Sequence, residues 1–365
     1  MNTPTPPAPT APVRVGVLAP LTPPGWVDAG RHLLAGLQTA ADEVNATGGI
    51  HTRPLQLVVR DTAADPDTAA AAVDELADLG VAALAGEYHS VVARTAAARA
   101  HARHLPFLCS SAVLDALTDE PSPWVARLAP AQSHGWRIYA DHLLAQGHRR
   151  IAVAAQPSPY WQAGTRILAD HLTPRGATLI TLDQDPHDPA AVCDALAHHR
   201  ATALLVLAAH PEPAIPLVTA VRRDPRLTGV LIGAPAGQPE LPSWAQRLGE
   251  DGAAVPFLRY RPPALDPHGT RVEAALRERL GQDPSFVAFE GHDTITVLAQ
   301  ALREHGTDPA ALAAAWPHLD VEGTRGRIRF TRTPGTGVWQ WAWAPVQVVD
   351  RDPGEPARLR VLHQG

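Results

Sequence analysis

Val81-Ala-Ala-Leu-Ala-Gly-Glu-Tyr-His-Ser-Val-Val-Ala-Arg-Thr95 decides how the rest of the chain is read. An apolar run, Val81 to Ala85, ends at Gly86, and a run with helical character begins at Val91. Ser90 therefore stands where a buried strand gives way to a helix. The first-turn N–H groups of a helix have no partners inside it. They sit at the positive end of the helix dipole and favour a carboxylate or phosphate. A serine at that point can cap the helix, and it can also offer its hydroxyl to a ligand.

The same strand-to-helix step repeats on either side. Upstream, Val13–Leu18 reads as a buried β-branched strand. A loop holding Pro23, Pro24, Gly25 and Trp26 follows, then a helix over about Arg31 to Asn45 that Thr47-Gly-Gly49 stops. Leu55–Val59 reads as a second strand, and Asp65-Pro66-Asp67 opens a helix through Leu79. Downstream, a helix over about Val92 to His104 leads to a strand over Pro106–Cys109 and then to Ser110-Ser111-Ala112. After an extended piece at Trp124–Leu128 and a helix over Ser133–Gln146, the pattern restarts at Arg150. Strands are expected at 150–154, 178–182, 203–207 and 229–232, with helices between them. Strands alternating with helices imply parallel sheets covered on both faces. Two such series imply an α/β protein of two doubly wound lobes. Ligands of such sheets bind beyond the carboxyl ends of the strands. The helices expected at 270–280 and 285–304 have no sheet of their own and must return to an earlier lobe. Gly323–Phe330 and Trp339–Val349 close the chain with strand character.

Composition bounds the function. At 365 residues the chain suits two domains of ordinary size. A net charge of −6, with no basic stripe, argues against a nucleic-acid partner. No apolar run is long enough to cross a membrane, so direct insertion is not expected. Cys109 and Cys193 match no metal or redox spacing. Met1–Pro12 is rich in Pro, Thr and Ala and has none of the regions of a signal peptide; it reads as a disordered tail, and the compartment stays open. There is no G-x-S-x-G, P-loop, H-E-x-x-H or dinucleotide fingerprint, so no enzyme, cofactor or metal is expected.

Four stretches together resemble a known family. They are Ala35–Ile50 (Ala-Gly-Leu-Gln-Thr-Ala-Ala-Asp-Glu-Val-Asn-Ala-Thr-Gly-Gly-Ile), Asp61–Pro66, Phe289-Glu-Gly-His-Asp293 and Gly323-Thr-Arg-Gly-Arg-Ile-Arg-Phe330. In this order and spacing the chain is similar to the type I periplasmic binding proteins of the leucine/isoleucine/valine class, over about Val13 to Val349. The resemblance implies a clamshell with crossovers near Pro130–Ser133, Val255–Leu258 and Thr333–Val338. Residues 13–131 with 258–335 would form lobe 1, and 132–257 with 336–365 lobe 2. It also implies a small amino-acid-like, carboxylate- or amide-bearing ligand closed into the cleft, and delivery to an ABC permease outside the cytoplasm. A cytoplasmic ligand sensor on the same fold is the alternative.

Carried over residue by residue, the resemblance implies that Ser90, with the Ser111 and Ala112 segment, holds the ligand carboxylate, and that Tyr160 covers it from the second lobe. Val113 stands where a threonine usually adds its hydroxyl. Ala209 replaces a cleft tyrosine, and Gly233-Ala-Pro235 lacks the glutamate that pairs with an ammonium. The family's disulfide positions hold Ala64 and His89. Trp26 and Tyr88 read as cleft walls, since loops at strand ends line such sites. His89, His210 and His292 fall near strand ends or cleft helices and are expected as hydrogen-bonding cleft or surface residues, not zinc ligands. Glu87, Glu240 and Glu290 are the candidates to replace the missing ammonium partner. His101 and His104 read as a solvated helix face, and Asp183–Asp188 as a loop that lacks the glycine and closing glutamate of a calcium site.

Overall fold

The computed structural model describes residues 11–332 and 334–365. The expected disordered tail lies outside the described residues as far as Thr10. The first series of elements builds a sheet from β1 (Val13–Ala19), β2 (Leu55–Asp61), β3 (Ala83–Gly86), β4 (Phe107–Cys109) and β5 (Val125–Arg127). They lie parallel in the order β2-β1-β3-β4-β5, which is the doubly wound arrangement expected. The register sets Leu18 beside Gly86 and Gly86 beside Cys109. The loops leaving β1, β3 and β4 therefore start level and open on one edge.

Gly86 is what allows that closeness. Its φ is +115°, and a Cβ there would lie 2.0 Å from the Leu18 carbonyl oxygen. Only a residue without a side chain fits both conditions.

Helices α1 (Val27–Ala46), α2 (Pro66–Asp78) and α3 (Ser90–Ala102) connect these strands, and α4 (Gln132–Ala145) leaves the sheet. Asp65 caps α2 by accepting from Thr68 N, with Pro66 at its first position. Helix α1 starts four residues before the expected Arg31, because Trp26 takes the cap position and Asp28 falls in the first turn. The restart at Arg150 is also found. β6 (Arg150–Ala155), β7 (Thr178–Thr181), β8 (Ala203–Leu207) and β9 (Leu231–Gly233) form a second parallel sheet, ordered β7-β6-β8-β9. Helices α5 (Pro159–Leu172), α6 (Pro189–His199) and α7 (Ala214–Arg223) link them. A short helix, α8 (Pro242–Leu248), follows and was not foreseen.

The late elements do return. α9 (Pro267–Leu280) and α10 (Phe286–His305) join the first sheet's side, and α10 packs along α1. Two glycines let their backbones meet. A Cβ on Gly36 would fall 1.9 Å from the Ala288 carbonyl oxygen, and one on Gly291 2.3 Å from that of Leu33. A further short helix, α11 (Pro309–Ala315), was also missed. The Gly323–Phe330 strand is really a hairpin, β11 (Asp320–Gly323) and β12 (Gly326–Arg332), that extends the first sheet.

The run Trp339–Val349 divides between sheets. β13 (Trp339–Trp341) pairs with β12 and β5 in the first sheet, whereas the sequence reading gave everything from 336 onward to lobe 2. The cause is Gln340, whose buried amide accepts from Arg127 Nε at 2.7 Å and donates to Ala129 O at 2.6 Å. Only β14 (Gln347–Arg351) leaves, to form a small antiparallel sheet with β10 (Phe257–Arg259) and the unforeseen β15 (Leu359–Gln364).

Candidate functional site

The loops beyond the strands' carboxyl ends enclose a cavity of about 210 Å³. Trp26 comes from the loop after β1, Tyr88 to Val91 from the β3–α3 junction, and Ser111 and Val113 from the loop after β4. The second sheet supplies Ser158, Tyr160 and Trp161 at the start of α5, Ala209 after β8 and Ala236 after β9. Tyr260 after β10 and Phe286 at the start of α10 complete the wall. Six of the nine residues expected at the site meet here: Trp26, Tyr88, His89, Ser90, Ser111 and Tyr160.

Three do not. Ala112 is fully buried and does not line the cavity; the chain turns it into the core after β4. His210 hydrogen-bonds Ser243 at 2.7 Å and lies against Trp244, 5.9 Å between ring centres, while its neighbour Ala209 reaches the cavity. His292 sits at the α1–α10 contact, hydrogen-bonded to Glu43 and Thr296, because α10 turns that face towards α1. Among the described residues no cluster of His, Cys, Asp or Glu could hold a metal ion.

Sequence reasoning missed Tyr260, Phe286, Trp161, Ser158, Val91 and Ala236 as walls. Tyr260 had a usable signal, since it follows a strand as the other wall residues do. Phe286 had none, because its place depends on where α10 docks.

The helix start is not held as expected. His89 is the cap residue of α3, and Ser90 is its first helical residue. The Ser90 hydroxyl instead accepts from Val113 N at 3.2 Å and Leu114 N at 3.3 Å, pinning the loop after β4 to α3. It keeps its own proton for a further acceptor. The Tyr88 and His89 N–H groups donate to a carboxylate of the chain itself, Glu87, at 2.8 and 3.0 Å. Thr62 holds the other Glu87 oxygen at 2.7 Å. Ser90 and Val91, the first residues of α3, line the cavity.

His89 is equally constrained. Its Nε2 accepts from Trp26 N at 3.1 Å, which leaves the ring proton on Nδ1. Burial lowers its pKa to about 4, so the ring is neutral near pH 7. The phenols of Tyr88, Tyr160 and Tyr260 are pushed up, first by burial, and stay protonated. The cavity wall thus carries hydroxyls and aromatic rings but no charged side chain.

None of the candidate ammonium partners reaches it. Glu87 is spent on its own loop. Glu240 accepts from Arg259 Nε and Phe286 N, both at 3.1 Å. Glu290 lies behind Ser111, facing Arg325 at 3.4 Å. The surface can therefore donate hydrogen bonds to an acceptor and enclose an apolar body.

Comparison with known proteins agrees with this architecture. The family model described as "Periplasmic binding protein" matches residues 12–352. Among solved structures, a leucine-binding protein from Thermotoga maritima is 20% identical, with 96% of this chain and 97% of that one covered and a TM-score of 0.82. An ABC transporter substrate-binding protein from Desulfitobacterium hafniense, in complex with Leu, is 22% identical, covering 96% and 99%, with a TM-score of 0.78. A solute-binding protein from R. palustris, in complex with benzoate, is 16% identical, covering 97% and 96%, with a TM-score of 0.80. Among proteins of curated function, none matches the chain in sequence. With its family model spanning nearly the whole chain and its two parallel sheets meeting over one cavity, the chain belongs to the periplasmic binding protein family and has the fold of its type I members.

Proposed function

We propose that this protein captures a small carboxylate- or amide-bearing solute for an ABC importer, and performs no chemistry on it. The observation that carries the reading is the cavity itself: walled from both sheets, lined by serine hydroxyls and aromatic rings, and without a charged side chain. Ser90, Ser111 and the start of α3 would receive the anionic or carbonyl end. Trp26, Tyr88 and Tyr160 would enclose the apolar body. The two sheets would act as lobes that close on the ligand, with crossovers beside α4, β10 and β13, and a permease would receive the closed form.

The fit favours an acid or amide over an amino acid. No carboxylate is placed to pair with an ammonium, and burying an unpaired charge is costly. Relatives of this fold hold Leu in one case and benzoate in another, so both shapes are worth testing. Thermal-shift and calorimetric titration should compare leucine, isovalerate, benzoate, benzamide and phenylalanine, since a ligand bound only by the folded state raises its midpoint. Binding of isovalerate, benzoate or benzamide, with weaker response to the matching amino acids, is the expected result. A response confined to zwitterionic amino acids would overturn the ligand class, and turnover of any bound solute would overturn the binding role.

A further inference from the structure

Behind the Ser111 wall lies a buried polar group that solute binding as described leaves unused. Glu290, Asp293 and Arg325 are buried together, with Arg325 Nε on Asp293 at 2.8 Å and Arg325 Nη1 on Glu290 at 3.4 Å. Asp293 is fully engaged, since its Oδ1 also accepts from Thr324 N and Oγ1. Glu290 is not. Its Oε2 completes no hydrogen bond, and neither does the Ser111 hydroxyl, although Ser111 lies close enough to favour the ionised carboxyl. Two buried oxygens are thus left without a partner, one hydrogen bond between them would satisfy both, and Ser111 is on the cavity wall.

The missing bond has two forms. With Glu290 ionised, the Ser111 hydroxyl donates to Oε2 and turns only lone pairs to the cavity. With Glu290 protonated, Oε2–H donates to Ser111 Oγ, and the Ser111 proton is free for a ligand acceptor. A carboxylate ligand needs the second form, because lone pairs against lone pairs repel. On the reading that the cavity takes a small carboxylate, we infer that Glu290 is a positioning residue that takes up one proton from solvent as the anion binds and, through Ser111, aims a hydroxyl donor at it. A neutral amide, which offers both donor and acceptor, is served by either form.

The surroundings suit a proton held near neutrality. Burial pushes the Glu290 carboxyl up to about 7, against the opposing pull of the Arg325 guanidinium and the Ser111 hydroxyl; Asp293, from its own helix, adds to the rise. Tyr88 and Tyr260, facing from the β3–α3 junction and the segment after β10, are neutral phenols and add no charge.

Two measurements test it. The first follows benzoate and benzamide binding by calorimetry between about pH 6 and about pH 8, in buffers of different ionisation enthalpy. Benzoate affinity should fall roughly tenfold across that range, with uptake of up to one proton per ligand, while benzamide affinity stays level. Glu290→Gln, whose amide donates permanently to Ser111, should abolish the slope; a merely structural glutamate would leave the slope in place. The second is infrared titration of the ligand-free wild type, where a buried protonated carboxyl should appear on acidification through neutral pH and be absent from Glu290→Gln. A benzoate slope that persists in the variant, or no carboxyl titrating near neutrality, overturns the inference. If neither probe binds at any pH, the solute reading of the cavity fails, and the infrared titration alone decides Glu290's proton.

Discussion

Ser90 and Ser111 bring the same hydroxyl to the same cavity but are held differently. Ser90 Oγ accepts two backbone N–H groups, from Val113 and Leu114. Removing it leaves both donors without a partner in a buried loop, so Ser90→Ala should cost about 1–3 kcal/mol of stability as well as weakening binding. Ser111 Oγ completes no hydrogen bond in the ligand-free chain. Ser111→Ala takes a partner from Glu290 alone and leaves no backbone donor unpaired, so it should lower the melting temperature less than Ser90→Ala while weakening carboxylate binding by about 1 kcal/mol or more. Paired thermal melts and calorimetry check both, and equal losses of stability in the two variants would contradict this division of labour. The chemistry at Ser90 was legible from its place between an apolar run and a helix. The role of Glu87 was not: nothing in its spacing shows that its carboxylate folds back onto Tyr88 and His89 and fills N–H groups that looked open to a ligand.

At the scale of elements, strand-helix alternation exposed both parallel sheets, because β-branched runs, Pro-led helix starts and glycine stops are local signals. The missed helices α8 and α11 do begin at a proline but run only seven residues each, and the misplaced strands carry no such signal. β13 is three residues long, and its sheet is chosen by Gln340's bonds to Arg127 and Ala129, more than two hundred residues away in sequence. The α1–α10 contact is a second long-range choice, and it makes a prediction. Gly36→Ala would drive a methyl into the Ala288 carbonyl. Overpacking of this kind costs about 1–3 kcal/mol or more, so the denaturation midpoint should fall clearly, whereas Gly48→Ala, at the end of α1 with open space around it, should suffer only from its positive φ of 98°. Equal effects at the two positions would show that the helices do not meet this closely. The same packing removed His292 from the site, since α10 can face α1 only by turning that histidine to Glu43.

For the whole molecule, a contact beside the cavity bears on how a solute would be held. Trp26 and Ala29, from the first sheet's side, pack with Leu241, which follows the second sheet, and Tyr88 and Ala236 flank them. On the proposed hinge closure this small apolar patch forms only when the lobes meet. Leu241→Ala should then speed ligand release several-fold and leave association nearly unchanged, as stopped-flow tryptophan fluorescence would measure, since most affinity differences lie in dissociation. In small-angle scattering, a bound ligand should reduce the radius of gyration. An unchanged radius with a saturating ligand would reject closure.

The sequence by itself determined the doubly wound sheets and the strand-to-helix junction at Ser90, because each rests on local pattern, and its resemblance to a family implied that Ala209 and Pro235 stand where ammonium partners usually do. Tertiary structure decided which nearby residues reach the cavity. It kept His89 and dropped His210 and Ala112, brought in Tyr260 and Phe286, and set Glu290 behind Ser111. The physical reason is that side-chain direction and the pairing of buried polar groups depend on contacts between segments far apart in the chain, and no local spacing encodes those contacts.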